Sequence, residues 1–506
     1  MHVVVVGGGI SGLAAAYRLR RLLGAGARIT VVEQAAVLGG KLRTVPLAGA
    51  PYDVGAEAFL VRRPEALALV RELGLADGLV HPGPAAAQVR FDGRHAPLPA
   101  RTVLGVPAAA DDLDGVLSPS GLARVRAEPS TPMRWDGADV AVGPLVAERL
   151  GPEVARRLVD PLLGGVYAGR AEALGLRPTM PPLAAALDAL VAAGRPPSLL
   201  SAAALALSAQ GGAGLPDGDA ALSAQRGAGP PDAAGSADGT GAPRPSGAGR
   251  PVFGALRGGM AVLVEALVRA AGVELRLGLP VRGLVRTADG WRLEIGAAPA
   301  PEYLDADGVL LAVPPPALRR LLAPLHVGAC AAAAGIEVAS CVIVSLALPS
   351  TVRLPPSSGV LVAAGEPLHT KAFTYSTVKW PHLDARATVL RASLGRHGET
   401  ATLQADDAEL VRLVRADLAE LTGITAAPVD AVVTRWGGGL PQYAVGHLDR
   451  VAAIEAGVAG LPGLAVAGAA LHGIGVPACI ATADAAANHL AAHLHVSLGD
   501  DVESPQ

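Results

Sequence analysis

The segment Gly7-Gly8-Gly9-Ile10-Ser11-Gly12 constrains this chain more than any other. Val3 to Val6, just before it, form a β-branched apolar run suited to a strand buried on both faces. Leu13 to Leu23 read as a helix, Arg28 to Val32 as a second strand, and Glu33 closes that strand. Gly7, Gly9 and Gly12 supply G-x-G-x-x-G. The first permits the tight turn, the second lets a pyrophosphate approach the backbone, and the third lets helix and strand pack closely. The helix start offers unpaired N–H groups and a positive dipole end to the diphosphate. Glu33 lies 21 residues beyond Gly12, where a carboxylate can accept hydrogen bonds from a ribose. Strand, turn, helix, strand and acid in this order predict an α/β, Rossmann-like dinucleotide domain.

A second pair of motifs separates the dinucleotides. Leu38-Gly39-Gly40-Lys41-Leu42-Arg43-Thr44 follows the acid, and Tyr52-Asp53-Val54-Gly55-Ala56-Glu57 comes next. This G-G-x-x-R segment with a D-x-G turn behind it resembles the amine-oxidase-like FAD superfamily, whose cofactor domain is of the glutathione-reductase type. The resemblance implies FAD held by Gly7, Gly8, Gly9, Ile10, Ser11, Gly12, Glu33, Gln34, Gly40, Lys41, Arg43, Gly55, Ala56, Glu57 and Ala58. By the same resemblance Val281 touches the adenine through its backbone, Trp436 packs near the flavin, and Gly468, Gly473, Ile474, Gly475 and Val476 line its pyrimidine end. There a helix N-terminus meets the negative charge that reduction brings.

With 506 residues the chain exceeds one ordinary core. A net charge of −3 provides no basic field for nucleic acid. Cys330, Cys341 and Cys479 form no C-x-x-C and no disulfide framework, which fits a reducing cytoplasm. No basic n-region precedes the first apolar run, so no signal peptide is expected. Val327 to Leu348, interrupted by Glu337, reads as helix then strand rather than a membrane span. At most peripheral contact with the inner membrane face is expected.

The remaining chain divides as follows. FAD-domain segments are expected at 1–83, 251–320 and 430–495, and an α+β substrate domain at 84–100, 175–197 and 321–429. A helical subdomain is expected at 101–174. Val89-Arg90-Phe91 with Asp92-Gly93 reads as a hairpin, and Glu153 to Val159 as a helix opened by Pro152. Short strands at 273–277, 281–287, 291–295 and 308–312 read as a meander. Residues 198–250 are rich in Gly, Ala, Pro and Ser and carry a small repeat, LSAQGGAGLPD and LSAQRGAGPPD. They are read as a disordered insertion, and 496–506 as a disordered tail.

Five stretches carry a closer resemblance: Asp53 to Leu75, Pro161 to Gly169, Val252 to Leu267, Arg435 to Val451 and Gly463 to Ile480. Together they resemble the protoporphyrinogen/coproporphyrinogen oxidase family from end to end, leaving only 198–250 outside. Pro441-Gln442-Tyr443, Gly446-His447 and the run Gly475 to Ile480 separate the chain from generic amine oxidases. The lack of an anchor looks more like the Gram-positive branch, which oxidises coproporphyrinogen III to coproporphyrin III in haem biosynthesis. The resemblance implies six electrons leaving in three two-electron steps to FAD, with O2 as acceptor and H2O2 as product. It also admits other haem-pathway enzymes as partners. Neither a metal nor a nucleophilic triad is needed.

Four propionates call for cations, and Arg63 is the first candidate, with Arg90 and Lys371 behind it. The hydride passes to the flavin, so no catalytic side chain is assigned. Gly437-Gly438-Gly439 is followed by Pro441 rather than a helix, so it is no second nucleotide loop. His447 reads as a core or hydrogen-bonding histidine. Three alternatives stay open at this level: protoporphyrinogen IX as substrate, another flavoenzyme of the superfamily such as a carotenoid desaturase, and a flavin-free binding module like the GDP-dissociation inhibitors.

Overall fold

The computed structural model describes residues 1–211, 251–383 and 386–500. A five-stranded parallel sheet is ordered Glu274–Leu277, Arg28–Glu33, His2–Val6, Gly308–Leu311, Leu464–Val466. The valine run is apolar at every position because both faces of this sheet are covered. Val3 and Val5 pack on the helices Ile10–Leu23, Ala261–Ala271 and Val476–Asp500, while Val4 and Val6 pack against the opposite layer around Trp291 and Leu293. That layer is the antiparallel meander Val281–Thr287, Gly290–Ile295 and Glu302–Ala306. The first and last strands expected in the meander are corrected: Glu274–Leu277 pairs in parallel with Arg28–Glu33 and Gly308–Leu311 with His2–Val6, both in the cofactor sheet, and Glu302–Ala306 supplies the third meander strand.

A second sheet of seven strands forms the other half, ordered Asp430–Pro441, Val338–Pro349, Ala387–Leu394, Thr370–Thr374, Gly359–Val362, Ala87–Phe91, Arg94–Pro97. The predicted hairpin is present, turning through Asp92 and Gly93 at positive φ of 46° and 75°. The helix Asp407–Thr422 covers one face, burying Leu410, Val414 and Leu418 against Val342, Leu346 and Leu390. Asp430–Pro441 belongs to this sheet, so the boundary expected at 430 moves beyond Pro441. The three glycines 437–439 lie inside that strand.

The region 101–174 opens with a short hairpin, Thr102–Val103 against Val106–Pro107, before its helices begin. Helix Pro152–Val154 does not stop at Val159. It widens into a π-turn at Ala155–Val159 and resumes as Asp160–Tyr167. Pro161 has no N–H to donate, and the wider turn lies directly before it.

Two expectations of disorder are corrected in part. Leu199–Gly211 is a helix that buries Leu199, Ala202, Ala203 and Ala206. Its start is capped from outside: the buried Glu128 carboxylate accepts from the N–H groups of Leu199 and Leu200 and pairs with Arg149. The last helix likewise continues to Asp500. The rest of both segments, 212–250 and 501–506, lies outside the described residues. Among the described residues no helix is long and apolar enough to cross a membrane.

Candidate functional site

The cofactor groove lies at the carboxyl ends of the parallel strands, where α/β sheets bind their ligands. Gly7 turns the chain at φ 106°, and a Cβ there would lie 2.4 Å from the carbonyl oxygen of Ala312. At Gly12 a Cβ would meet the Gly7 carbonyl oxygen at 1.8 Å. Gly9 differs: nothing stands within 4 Å of where its Cβ would be. Two glycines close the turn and one opens a cradle, the division of labour that the spacing implies. Gly9 is also the N-cap of helix Ile10–Leu23, and no side chain caps it. The leading N–H groups are therefore directed at the cradle.

Glu33 stands at this end of the groove. Its carboxylate accepts from the backbone N–H groups of Gly8 and Ala35 at 2.7 and 2.8 Å. Gln34 beside it is exposed. The N–H of Leu279 donates to the Glu33 carbonyl at 3.0 Å, which brings the start of strand Val281–Thr287 alongside. The carbonyl of Val281 accepts from Arg320.

The G-G-x-x-R segment lies directly on the phosphate loop. Gly39 donates to the Gly8 carbonyl at 2.8 Å, and a Cβ on Gly40 would lie 3.3 Å from the Gly9 Cα. Arg43 is exposed, and its guanidinium has no partner among the described residues. Lys41 ties this segment to the D-x-G turn, its carbonyl accepting from Ala56 N–H at 2.9 Å. Gly55 is obligatory here, since a Cβ would lie 2.0 Å from the Lys41 oxygen and 3.1 Å from the Trp436 ring.

The turn is also held from the seven-stranded sheet. Trp436 Nε1 donates to the Val54 carbonyl at 3.2 Å, and Arg391 donates to the Gly55 carbonyl at 2.8 Å. Glu57 pairs with Lys379 at 2.7 Å and with Arg391 at 3.4 Å. Burial alone would raise the Glu57 pKa, but Arg391 and Lys379 outweigh it and hold the carboxyl at about 2. Ala58, next in line, packs beside Leu60, Phe253 and Trp380.

The fourth wall is the segment 468–476. Tyr443 fixes it, its hydroxyl donating to the Ala469 carbonyl at 2.8 Å and accepting from Gly473 N–H at 2.7 Å. Gly468 donates to Thr482 Oγ1, and Ser11 Oγ is 3.9 Å from a Cβ built on Gly468. The segment Ile474-Gly475 then leads into helix Val476–Asp500, so the N-termini of the first and last helices face the same groove. His447 stacks on Tyr443 at 3.8 Å, fully buried, with Nε2 against the Leu471 carbonyl. It is the hydrogen-bonding core histidine that the sequence predicts, and burial pushes its pKa down to about 4.

All three cations expected for propionates have protein partners. Arg90 is mostly buried in ion pairs with Glu366 and Glu420. Lys371 is buried and donates to the Gly395 carbonyl at 2.7 Å, and burial pushes its pKa down to about 8. Both thus already hold protein groups. Arg63 holds Glu65 with two hydrogen bonds, at 2.9 and 3.2 Å, at the start of helix Pro64–Glu72. Arg391, Lys379 and Tyr443 were given no role from the sequence. A charged residue in the middle of the apolar run Ala387 to Leu394 was the one available signal for Arg391.

Residues 10–491 match the family described as flavin containing amine oxidoreductase. A coproporphyrinogen III oxidase of Mycobacterium tuberculosis is 43% identical over 483 residues, 95% of each chain. That of Bacillus subtilis is 28% identical, covering 97% of this chain and 98% of its own. A protoporphyrinogen oxidase of Bos taurus is 30% identical, covering 94% and 96%. Among solved structures, a candidate protoporphyrinogen oxidase from Exiguobacterium superimposes with a TM-score of 0.79 at 28% identity, over 98% and 99% of the two chains. The cyclohexylamine oxidase of Brevibacterium oxydans shares the fold, with a TM-score of 0.65 at 17% identity, over 98% and 99%.

Proposed function

The chain belongs to the flavin containing amine oxidoreductase family, and from that premise we propose that it oxidises coproporphyrinogen III to coproporphyrin III, with FAD as cofactor and O2 as final acceptor. The carrying observation is the 43% identity, over 95% of both chains, to a coproporphyrinogen III oxidase. The groove fits the cofactor: Gly9 opens a cradle at an uncapped helix start, Glu33 stands 21 residues beyond Gly12, and Arg43 is exposed with no partner among the described residues.

FAD supplies the acceptor for three successive hydride equivalents, six electrons in all. The protein's part is binding and orientation. The loop Gly7 to Gly12 with Arg43 would take the diphosphate, Glu33 the adenosine ribose, and Val281 the adenine edge. Gly55, Trp436 and the segment Gly468 to Val476 would frame the flavin ring, with the last helix directing its N-terminus at the pyrimidine edge. Arg63, which follows the Gly55 turn, is the cation proposed for a substrate propionate. A cytoplasmic setting accords with three cysteines that form no disulfide.

The 30% identity to a protoporphyrinogen oxidase supports a second reading, with protoporphyrinogen IX as substrate. One assay separates them: porphyrin fluorescence appearing in air when flavin-loaded protein meets either porphyrinogen. Faster turnover of coproporphyrinogen III is expected. Preference for protoporphyrinogen IX would transfer the assignment, and flavin-loaded protein inert toward both would overturn it.

A further inference from the structure

The hairpin Thr44–Leu47 and Ala50–Asp53, the loop after strand Phe253–Leu256, and residues 380–389 enclose a cavity of about 310 Å3. It shares only Glu57 with the residues expected to hold FAD, and nothing from the loop Gly7 to Gly12 or the segment 468–476 lines it. Leu47, Leu256, Ala387 and Val389 are buried in its mostly apolar wall. The acidic and phenolic side chains of that wall are already engaged. Asp53 accepts from the Met260 N–H and the Thr44 hydroxyl, Glu57 is paired with Lys379 and Arg391, and Tyr52 shares a hydrogen bond with Ser376. Two ring nitrogens of the wall are not engaged. The chain has four tryptophans, and three of their indole N–H groups have acceptors: Asp188 for Trp135, the Pro462 carbonyl for Trp291 and the Val54 carbonyl for Trp436. Trp380 Nε1 is buried without one, because Glu57 beside it lies outside hydrogen-bond geometry. His382, its ring edge-on to Trp380 with centroids 5.7 Å apart, likewise has a buried Nδ1 with no partner. Arg257 and Arg386 stand exposed on the same wall.

A buried donor without an acceptor is costly, so a cavity that leaves two such nitrogens open suits a ligand that brings oxygens to them. We propose that this cavity is a second ligand site, built for a small organic carboxylate with a compact apolar body. The two carboxylate oxygens accept from Trp380 Nε1 and from His382 Nδ1, in the tautomer that carries its proton there. Arg257 and Arg386 supply the opposite charge, and Glu57 is outnumbered by its own two cations. The apolar wall takes the body of the ligand. At the lower end of small-molecule sites in size, the cavity holds a single ring and excludes a four-ring macrocycle. The site is therefore separate from the one that takes the porphyrinogen, and it stands whichever porphyrinogen is the substrate.

The test uses the FAD-loaded full chain with nitrogen-15 in its indoles, benzoate as the probe and no porphyrinogen present. The Trp380 indole peak, identified by its absence in Trp380→Phe, should move downfield and saturate as benzoate is added. The peaks of Trp135, Trp291 and Trp436 should hold. Equilibrium dialysis with labelled benzoate should show a single site. Its dissociation constant should rise about tenfold in Trp380→Phe and in His382→Leu, and about twofold to fivefold in Arg257→Ala. Arg257 is exposed, so Arg257→Ala keeps the proposal testable if the buried variants fail to fold. Inorganic phosphate should leave the Trp380 peak in place. A Trp380 peak that benzoate does not move overturns the proposal, and ordered water is then the occupant of the cavity. A shift of Trp436 with Trp380 unmoved puts benzoate in the cofactor groove and overturns it equally. So does a phosphate response matching that of benzoate, which would reduce the site to a cluster of surface cations.

Discussion

Arg391 lies on a strand of the seven-stranded sheet and donates to the carbonyl of Gly55, 2.8 Å away in the cofactor turn. The same guanidinium faces Glu57 at 3.4 Å. The two sheets are thus joined by a buried charge placed at the turn expected to meet the flavin. Arg391→Met would leave Glu57 with Lys379 alone and release the Gly55 carbonyl. Removing one partner of a buried ion pair typically costs about 3–5 kcal/mol. Urea unfolding should show a loss of that order together with weakened FAD retention. Adding Glu57→Leu should recover part of the stability but not the FAD affinity.

Gly9 and Gly12 make opposite predictions within one motif. Gly12→Ala places a methyl 1.8 Å from the Gly7 carbonyl oxygen, so it should lower the melting temperature of the flavin-free protein. Gly9→Ala meets nothing within 4 Å, so its flavin-free melting temperature should match the parent. Its FAD dissociation constant should nonetheless rise by a hundredfold or more, about 3 kcal/mol at 1.4 kcal/mol per decade, because the methyl occupies the space of the diphosphate. Thermal unfolding and fluorescence titration with FAD check the pair.

Tyr443→Phe removes a hydroxyl that both donates to Ala469 and accepts from Gly473. The ring and its stacking on His447 remain. Leaving two backbone groups unsatisfied costs about 1–3 kcal/mol. FAD affinity should weaken about tenfold or more, with little change in the Michaelis constant for porphyrinogen.

Two buried groups, His447 and Glu57, each withdraw stability on acidification. His447 is pushed by burial from 6.5 to about 4, so between those values the unfolded chain binds the proton and the folded chain does not. Folding stability is then full above about pH 6.5 and is lost as pH falls toward 4, by on the order of 3 kcal/mol. Glu57, held at about 2 against an ordinary 4.5, adds a second loss below pH 4.5. Asp53, pushed up to about 6 by burial, works in the opposite sense between pH 6 and 4, so the His447 contribution is read by difference: the urea midpoint of the parent relative to His447→Phe should fall as pH drops from 6.5 to 4.

The cofactor half of this site was legible because its signals are local. Gly7, Gly9, Gly12, Glu33 and the Gly55 turn each announce a backbone conformation or a short reach, and spacing along one chain fixes them. What was illegible depends on partners distant in sequence. Glu274–Leu277 looks like any short strand, and only its pairing with Arg28–Glu33 places it in the parallel sheet. Leu199–Gly211 looks too weak to fold, yet Glu128, some seventy residues earlier, caps it. Arg90 and Lys371 resemble solvent-facing cations until Glu366, Glu420 and the Gly395 carbonyl appear beside them. Charge can be read from the sequence, but whether a charge is already spoken for cannot.

The parallel sheet draws its strands from residues 2–6, 28–33, 274–277, 308–311 and 464–466. A ribosome therefore exposes the nucleotide fingerprint first and the strand that completes its floor more than four hundred codons later. Until residues 464–480 emerge, the early segments lack both the sheet edge and the last helix they pack against, and domains of this kind fold as units. Cofactor loading then belongs to the finished polypeptide, and a premature stop anywhere before that point discards the whole flavin domain.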